Sequence, residues 1–115
     1  MNLDVSNTLN VIEVMENFLE RFRPDTETRK KLDFGYHIQN QSVFFMEIRP
    51  NYMNPDVIIE SEIAKATYVK AKKQWKIFWM RGNLKWYSYH PKPFVNTFQE
   101  FIETVEEDEY HCFFG

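Results

Sequence analysis

Two side chains in this sequence have the spacing of a small polar site. Glu47 and Arg49 lie two apart in Ser42-Val43-Phe44-Phe45-Met46-Glu47-Ile48-Arg49, so on a strand they share a face with Val43 and Phe45. A pocket there could use Arg49 to hold a carboxylate or phosphate, since a guanidinium offers paired donors to such groups. The structural alternative is an ion pair between the two, because an unpaired charge on a buried face is costly. The remaining reactive side chains form no pattern. His37, His90 and His111 stand at no metal-ligand spacing, and His111 and Cys112 are adjacent, which points them apart in an extended chain. No metal site follows, and no cofactor. Cys112 has no base that the sequence places beside it, so it reads as a small apolar residue docking the C-terminus. Paired carboxylates, a Ser-His-Asp arrangement and a glycine-rich phosphate loop are all missing, so no catalytic residue is assigned.

The unusual feature is the charge map. Residues 63–99 hold eight basic side chains and no acid, whereas residues 100–109 hold six acids and no base. Such segregation points to partners. In the basic stretch, Gly82-Asn83 suggests a two-residue turn between two strands. That turn pairs Trp79 with Trp86 and Ile77 with Ser88 on a core face shared with Trp75. The other face then carries Lys76, Phe78 and Met80 against Tyr89, Tyr87 and Lys85. A surface mixing rings with lysines can stack bases and hold phosphates. Its bland counterpart is a solvated rim that blunts an edge strand. The acids of the last stretch sit near a helix C-terminus, where the macrodipole disfavours them, and could pair with the basic strands or form a solvated end.

The elements that must position these residues can be read from periodicity. Leu9, Ile12, Met15, Leu19 and Phe22 recur at helical spacing, with Ser6 or Asn7 as cap and Pro24 as stop. Asp25 can cap a short turn over residues 26–31. Alternating, ring-rich segments follow at 35–39, 42–49, 64–70, 75–80 and 84–89, with Asn40-Gln41 as a tight turn and an irregular loop bounded by Pro50 and Pro55. Thr97-Phe98-Gln99-Glu100 matches a capping box, and Phe98, Phe101, Ile102 and Val105 form a helical stripe behind it. The expected fold is α+β. An antiparallel meander of four or five strands spans about 33–90, with helices near 6–22 and 97–107 packed on it in a single domain over residues 1–115.

Several of these segments carry a resemblance. Gly35-Tyr36-His37-Ile38, Glu47-Ile48-Arg49-Pro50, Ile63-Ala64-Lys65-Ala66-Thr67-Tyr68, Trp75-Lys76-Ile77-Phe78-Trp79 with Leu84-Lys85-Trp86, and Cys112-Phe113-Phe114-Gly115 resemble the bacterial domain-of-unknown-function family 3024 over nearly the whole chain. The resemblance implies a bacterial protein. It transfers no activity and no site residues.

One cysteine fits a reducing compartment, and no run approaches the roughly 18 apolar residues of a membrane span, so a cytoplasmic protein with no membrane partner is expected. The functional expectation is a non-catalytic binding or adaptor domain. It would meet a macromolecule, a polyanion or nucleic acid, through a basic aromatic hairpin formed by Lys73, Lys76, Phe78, Arg81, Lys85, Tyr87 and Tyr89. A net charge of −3 makes such binding weak. The alternatives are an enzyme with a cleft near Glu47 and Arg49, and a homodimer whose interface is the exposed rings.

Overall fold

The chain begins with a helix because Asp4 caps it: the Asp4 carboxylate accepts from the Asn7 N–H at 2.7 Å. The cap is therefore two residues earlier than Ser6, the first of the candidates suggested by the sequence. In the computed structural model, which describes residues 2–114, α1 spans Val5–Phe22 and α2 spans Thr26–Arg29, the latter capped by Asp25. The buried stripe of α1 is Val11, Val14, Met15, Phe18 and Leu19. Leu9 and Ile12, expected on the core side, are 62 % and 39 % exposed. The helix carries two overlapping apolar stripes, and the one with Phe18 faces the sheet, where its ring meets Phe45 edge-on at 5.8 Å.

Among the described residues six strands form one antiparallel sheet: β1 (Asp33–Gln39), β2 (Ser42–Pro50), β3 (Ile58–Val69), β4 (Gln74–Met80), β5 (Trp86–Ser88) and β6 (Phe94–Val95). Strands β1 to β5 follow in meander order, and β6 lies along β4. The Asn40-Gln41 turn forms as expected, with Asn40 in the left-handed region (φ 57°) that Asn tolerates. β3 starts at Ile58, well before the expected residue 64. A bulge opposite Phe45 and Met46 interrupts its alternation near Ile63 and hides the first half of the strand from a period-two reading. β6 is two residues long and follows Pro93, whose carbonyl accepts from the Ile77 N–H, so no periodicity marks it.

The closing helix α3 (Phe98–Glu107) has the expected capping box between Thr97 and Glu100. Its stripe of Phe98, Phe101, Ile102 and Val105 is fully buried. Both long helices lie on one face of the sheet, against Val43, Phe45, Ala64, Ala66, Trp75 and Ile77. Past α3 the backbone turns at Asp108 (φ 43°), whose carboxylate accepts from the N–H groups of Phe113 and Phe114 at 3.0 and 2.9 Å. That clasp lays Phe113 on Tyr89 and Phe114 against Phe22 and Phe34. One acid of the terminal run thus anchors the C-terminal segment, and Glu106 grips Arg21 of α1, so these two neither form a solvated end nor pair with the basic strands.

Candidate functional site

Strand register decides which side chains share a surface. Two neighbouring rows cross the whole sheet. Tyr36, Phe45, Ala64, Trp79 and Tyr87 are successive partners, as are His37, Phe44, Lys65, Phe78 and Ser88. The first row faces the helices. The second lies on the face that neither helix covers.

The hairpin between β4 and β5 differs from the sequence reading by one residue. Met80 pairs with Trp86 and Trp79 with Tyr87, not Trp79 with Trp86. The loop closes by a bond from the Leu84 N–H to the Arg81 carbonyl and one from the Arg81 N–H to the Lys85 carbonyl. Leu84 adopts φ 61°, which inserts one residue beyond the Gly82-Asn83 turn. With a side-chain period of two, a slip of one exchanges the faces of the second strand. Tyr87 and Tyr89 therefore point toward the helices, while Trp86 joins the helix-free face. Tyr89 is 2 % exposed, and burial pushes its hydroxyl up to about 12. Arg81 lies over the Trp79 and Tyr87 rings at 5.5 and 4.7 Å, on the helix side. These three residues leave the binding surface drawn from sequence. Lys76 and Phe78 stay on it. Lys73 and Lys85 are exposed in the loops at either end of β4.

Lys65 stands at the centre of the helix-free face. Its ammonium lies 4.4 Å from the Phe78 ring centroid, 5.0 Å from Trp86 and 5.8 Å from Phe44. Three rings from three strands thus surround one cation, each a favourable cation–π contact. Among the described residues the ammonium has no hydrogen-bond acceptor and no ion-pair partner. Burial against the rings lowers its pKa, and the charge of Glu62 works the other way. His37 stacks on Phe44 with centroids 4.5 Å apart, and its Nε2 lies 3.0 Å from the Glu62 carboxylate. Lys76 reaches over Phe78 at 5.1 Å, and Lys72 over Phe94 at 4.4 Å.

A polar row runs beside the rings. Ser42, Thr67, Lys76 and Phe94 are successive partners, with the Ser42 and Thr67 hydroxyls 2.7 Å apart. The face therefore presents stacking surfaces, then a strip of hydroxyls and ammonium groups. Phe44, Lys65 and Phe94 were not singled out by the sequence, and Trp86, paired there with Trp79 on the core face, belongs instead to the helix-free face. Phe44 adjoins Phe45, so alternation alone does not say which ring faces out. Lys65 was visible as one of eight basic residues, but only cross-strand register sets it among rings.

The other candidate groups are engaged elsewhere. Glu47 and Arg49 meet at 2.7 Å on the helix side of the long β2–β3 arm and line none of the described clefts. A cleft of about 590 Å³ lies between α1, α2 and the free edge of β1. Arg23 there pairs with Asp33 at 2.6 Å, Glu16 accepts from the Tyr36 hydroxyl at 2.9 Å, Arg29 donates to the Pro24 carbonyl, and Glu20 has no partner among the described residues. Burial raises the Cys112 thiol above its ordinary pKa, away from a reactive thiolate. Among the described residues no three His, Cys, Asp or Glu side chains converge on a possible metal position. Among the described residues no helix is long and apolar enough to cross a membrane.

No curated protein and no solved structure matches the chain. A family model described as Domain of unknown function (DUF3024) matches residues 5–115, and the chain belongs to that family.

Proposed function

We propose that this is a non-catalytic binding domain that takes single-stranded nucleic acid on the helix-free face of its sheet. The observation that supports the reading is the row His37–Phe44–Lys65–Phe78, with Trp86 beside it and the polar strip of Ser42, Thr67 and Lys76 along its flank. A strand can stack its bases on exposed rings and lay its phosphates along ammonium groups. A duplex hides its ring faces and cannot use the surface in this way. Bacterial origin and a cytoplasmic setting accompany this reading, the latter resting on the lone cysteine.

The net charge of −3 opposes non-specific attraction, so affinity should be modest and steeply salt-dependent. The test is fluorescence titration of the parent with single-stranded oligonucleotides of about ten nucleotides at low salt, a length within the usual range for such surfaces. Lys72→Glu with Lys76→Glu should weaken binding and flatten the salt slope by about one unit per lost phosphate contact. Phe78→Ala should weaken it by about 1–3 kcal/mol, the worth of one stacked base. A parent that binds no oligonucleotide sinks the reading. If that parent instead runs as a dimer that Phe78→Glu dissociates, the face is an interface between copies of the chain.

A further inference from the structure

Resting on that reading, we infer that Lys65 selects the base that the face accepts, and that the base is one with a carbonyl oxygen where adenine has its amino group: thymine, uracil or guanine. The argument starts from an ammonium that is half-buried, ringed by Phe44, Phe78 and Trp86, and without an acceptor among the described residues. An ammonium has three donors and no acceptor. A donor group partly withdrawn from water is costly unless something accepts from it. The rings hold the cation in place and shed water around it, but they offer no lone pair. The position is therefore built for an acceptor that arrives with the ligand.

Ring chemistry decides what kind of acceptor fits. The faces of Phe44, Phe78 and Trp86 carry the negative side of the aromatic quadrupole. A phosphate brought to Lys65 would be pressed against those faces, whereas a base can lie flat on a ring and present its edge to the ammonium. Phosphates are better met at the margin: Lys72 and Lys76 also lie over rings, Phe94 and Phe78, but Lys76 pairs across the strands with Thr67, and the hydroxyls of Thr67 and Ser42 can donate to a phosphate. Among base edges, thymine and uracil carry carbonyl oxygens on both sides of the ring nitrogen, and guanine carries O6 beside the acceptor N7. Adenine carries none and sets an amino group where thymine has O4. A pure donor can donate to the carbonyl oxygens, whereas on adenine it faces the amino donor and can donate only to ring nitrogens. Stacking by itself runs the other way, because adenine offers the larger ring. The sign of the thymine–adenine difference thus separates reading by Lys65 from stacking alone.

The experiment titrates the full chain with oligothymidylate, oligoadenylate and oligocytidylate of about ten nucleotides, reading Trp fluorescence. Oligothymidylate should bind about tenfold more tightly than oligoadenylate, within the range of one well-placed base contact. Oligocytidylate, with one carbonyl per base, should fall between them. Lys65→Met keeps the length and removes the donors. It should weaken both ligands through the lost charge and bring their ratio to one or below. Lys65→Gln gives a second variant: its amide offers both donor and acceptor to adenine, so the ratio should again fall toward one. The ratio is insensitive to a general loss of charge or of folded protein. Adenylate binding as tightly as thymidylate in the parent, or a thymidylate preference that survives both variants, overturns the assignment to Lys65 and leaves the binding face standing. Failure of the parent to bind any of the three overturns the face itself.

Discussion

The two faces of this sheet are built from nearly the same rings and do opposite things with them. On the helix side, Tyr36, Phe45, Trp79 and Tyr87 share a row with Ala64, and Ala66 lies in the next. On the other side, His37, Phe44 and Phe78 share a row with Lys65. The residue between the rings separates the cases. Alanine leaves room for α1 and α3 to approach, so Phe45 beneath them is core, with Tyr36 and Trp79 half-buried against it. Lysine fills the same depth with a charge that no helix could cover cheaply. It also keeps an exposed aromatic patch from pairing blindly with its own kind, a use of lysine common on exposed sheets. Aromatic content therefore predicts neither core nor surface here.

Ile77 and Phe78, adjacent on β4, give the sharpest way to break this contrast. Ile77 is fully buried, and Phe78 sits under Lys65 and Lys76. Ile77→Ala should cost about 2–5 kcal/mol in urea melts, as buried large-to-small changes do. Phe78→Ala should cost about 1 kcal/mol, roughly its lost cation–π contacts, while reducing ligand affinity. Equal losses of stability would mean that something covers both faces.

Asp108 is next in size. It is 8 % exposed, and its carboxylate holds the N–H groups of Phe113 and Phe114. Asp108→Ala leaves two backbone donors without their acceptor, a loss of about 1–3 kcal/mol. Because the clasp lies on the helix side, the oligonucleotide affinity of the folded protein should not change. Altered affinity would couple the two faces.

Leu84 carries the lesson about legibility. Pro24 and the Thr97–Glu100 box marked helix ends, and the alternation of β1, β2 and β4 marked strands, because local chemistry decides those features. The pairing of β4 with β5 was not legible. It depends on a leucine, 80 % exposed, taking a left-handed conformation that its side chain disfavours. Nothing in its residue type announces that, and the register behind it placed Tyr87 and Tyr89 on the wrong side. Burial of Tyr89 against Phe113 supports the observed register from a distance, and such long-range packing is invisible to a local reading. Leu84→Gly should relieve the strain and raise stability by about 0.5–1 kcal/mol. A fall in stability would mean that the Leu84 side chain contributes more than its backbone costs.

The smallest expected effect lies between the helices, where Arg21 grips Glu106 with two hydrogen bonds of 2.6 and 2.9 Å. The Arg21 guanidinium holds the Glu106 carboxyl below its ordinary pKa, with partial burial opposing it. A carboxyl whose folded pKa is depressed contributes stability above its unfolded value, about 4.3 for glutamate, and loses it as pH falls through the folded value. The side chains are 55 % and 35 % exposed, so solvent screens the pair and its worth is about 0.2–1 kcal/mol. Glu106→Gln should therefore lower the urea midpoint slightly at neutral pH, less so in high salt, and the two proteins should converge in acid as pH falls through the lowered pKa of Glu106. The oligonucleotide binding proposed for the opposite face should also weaken with salt, but Glu106→Gln should not alter its slope. A midpoint difference that persists unchanged in acid would assign the role of Glu106 to packing between α1 and α3 and not to its charge.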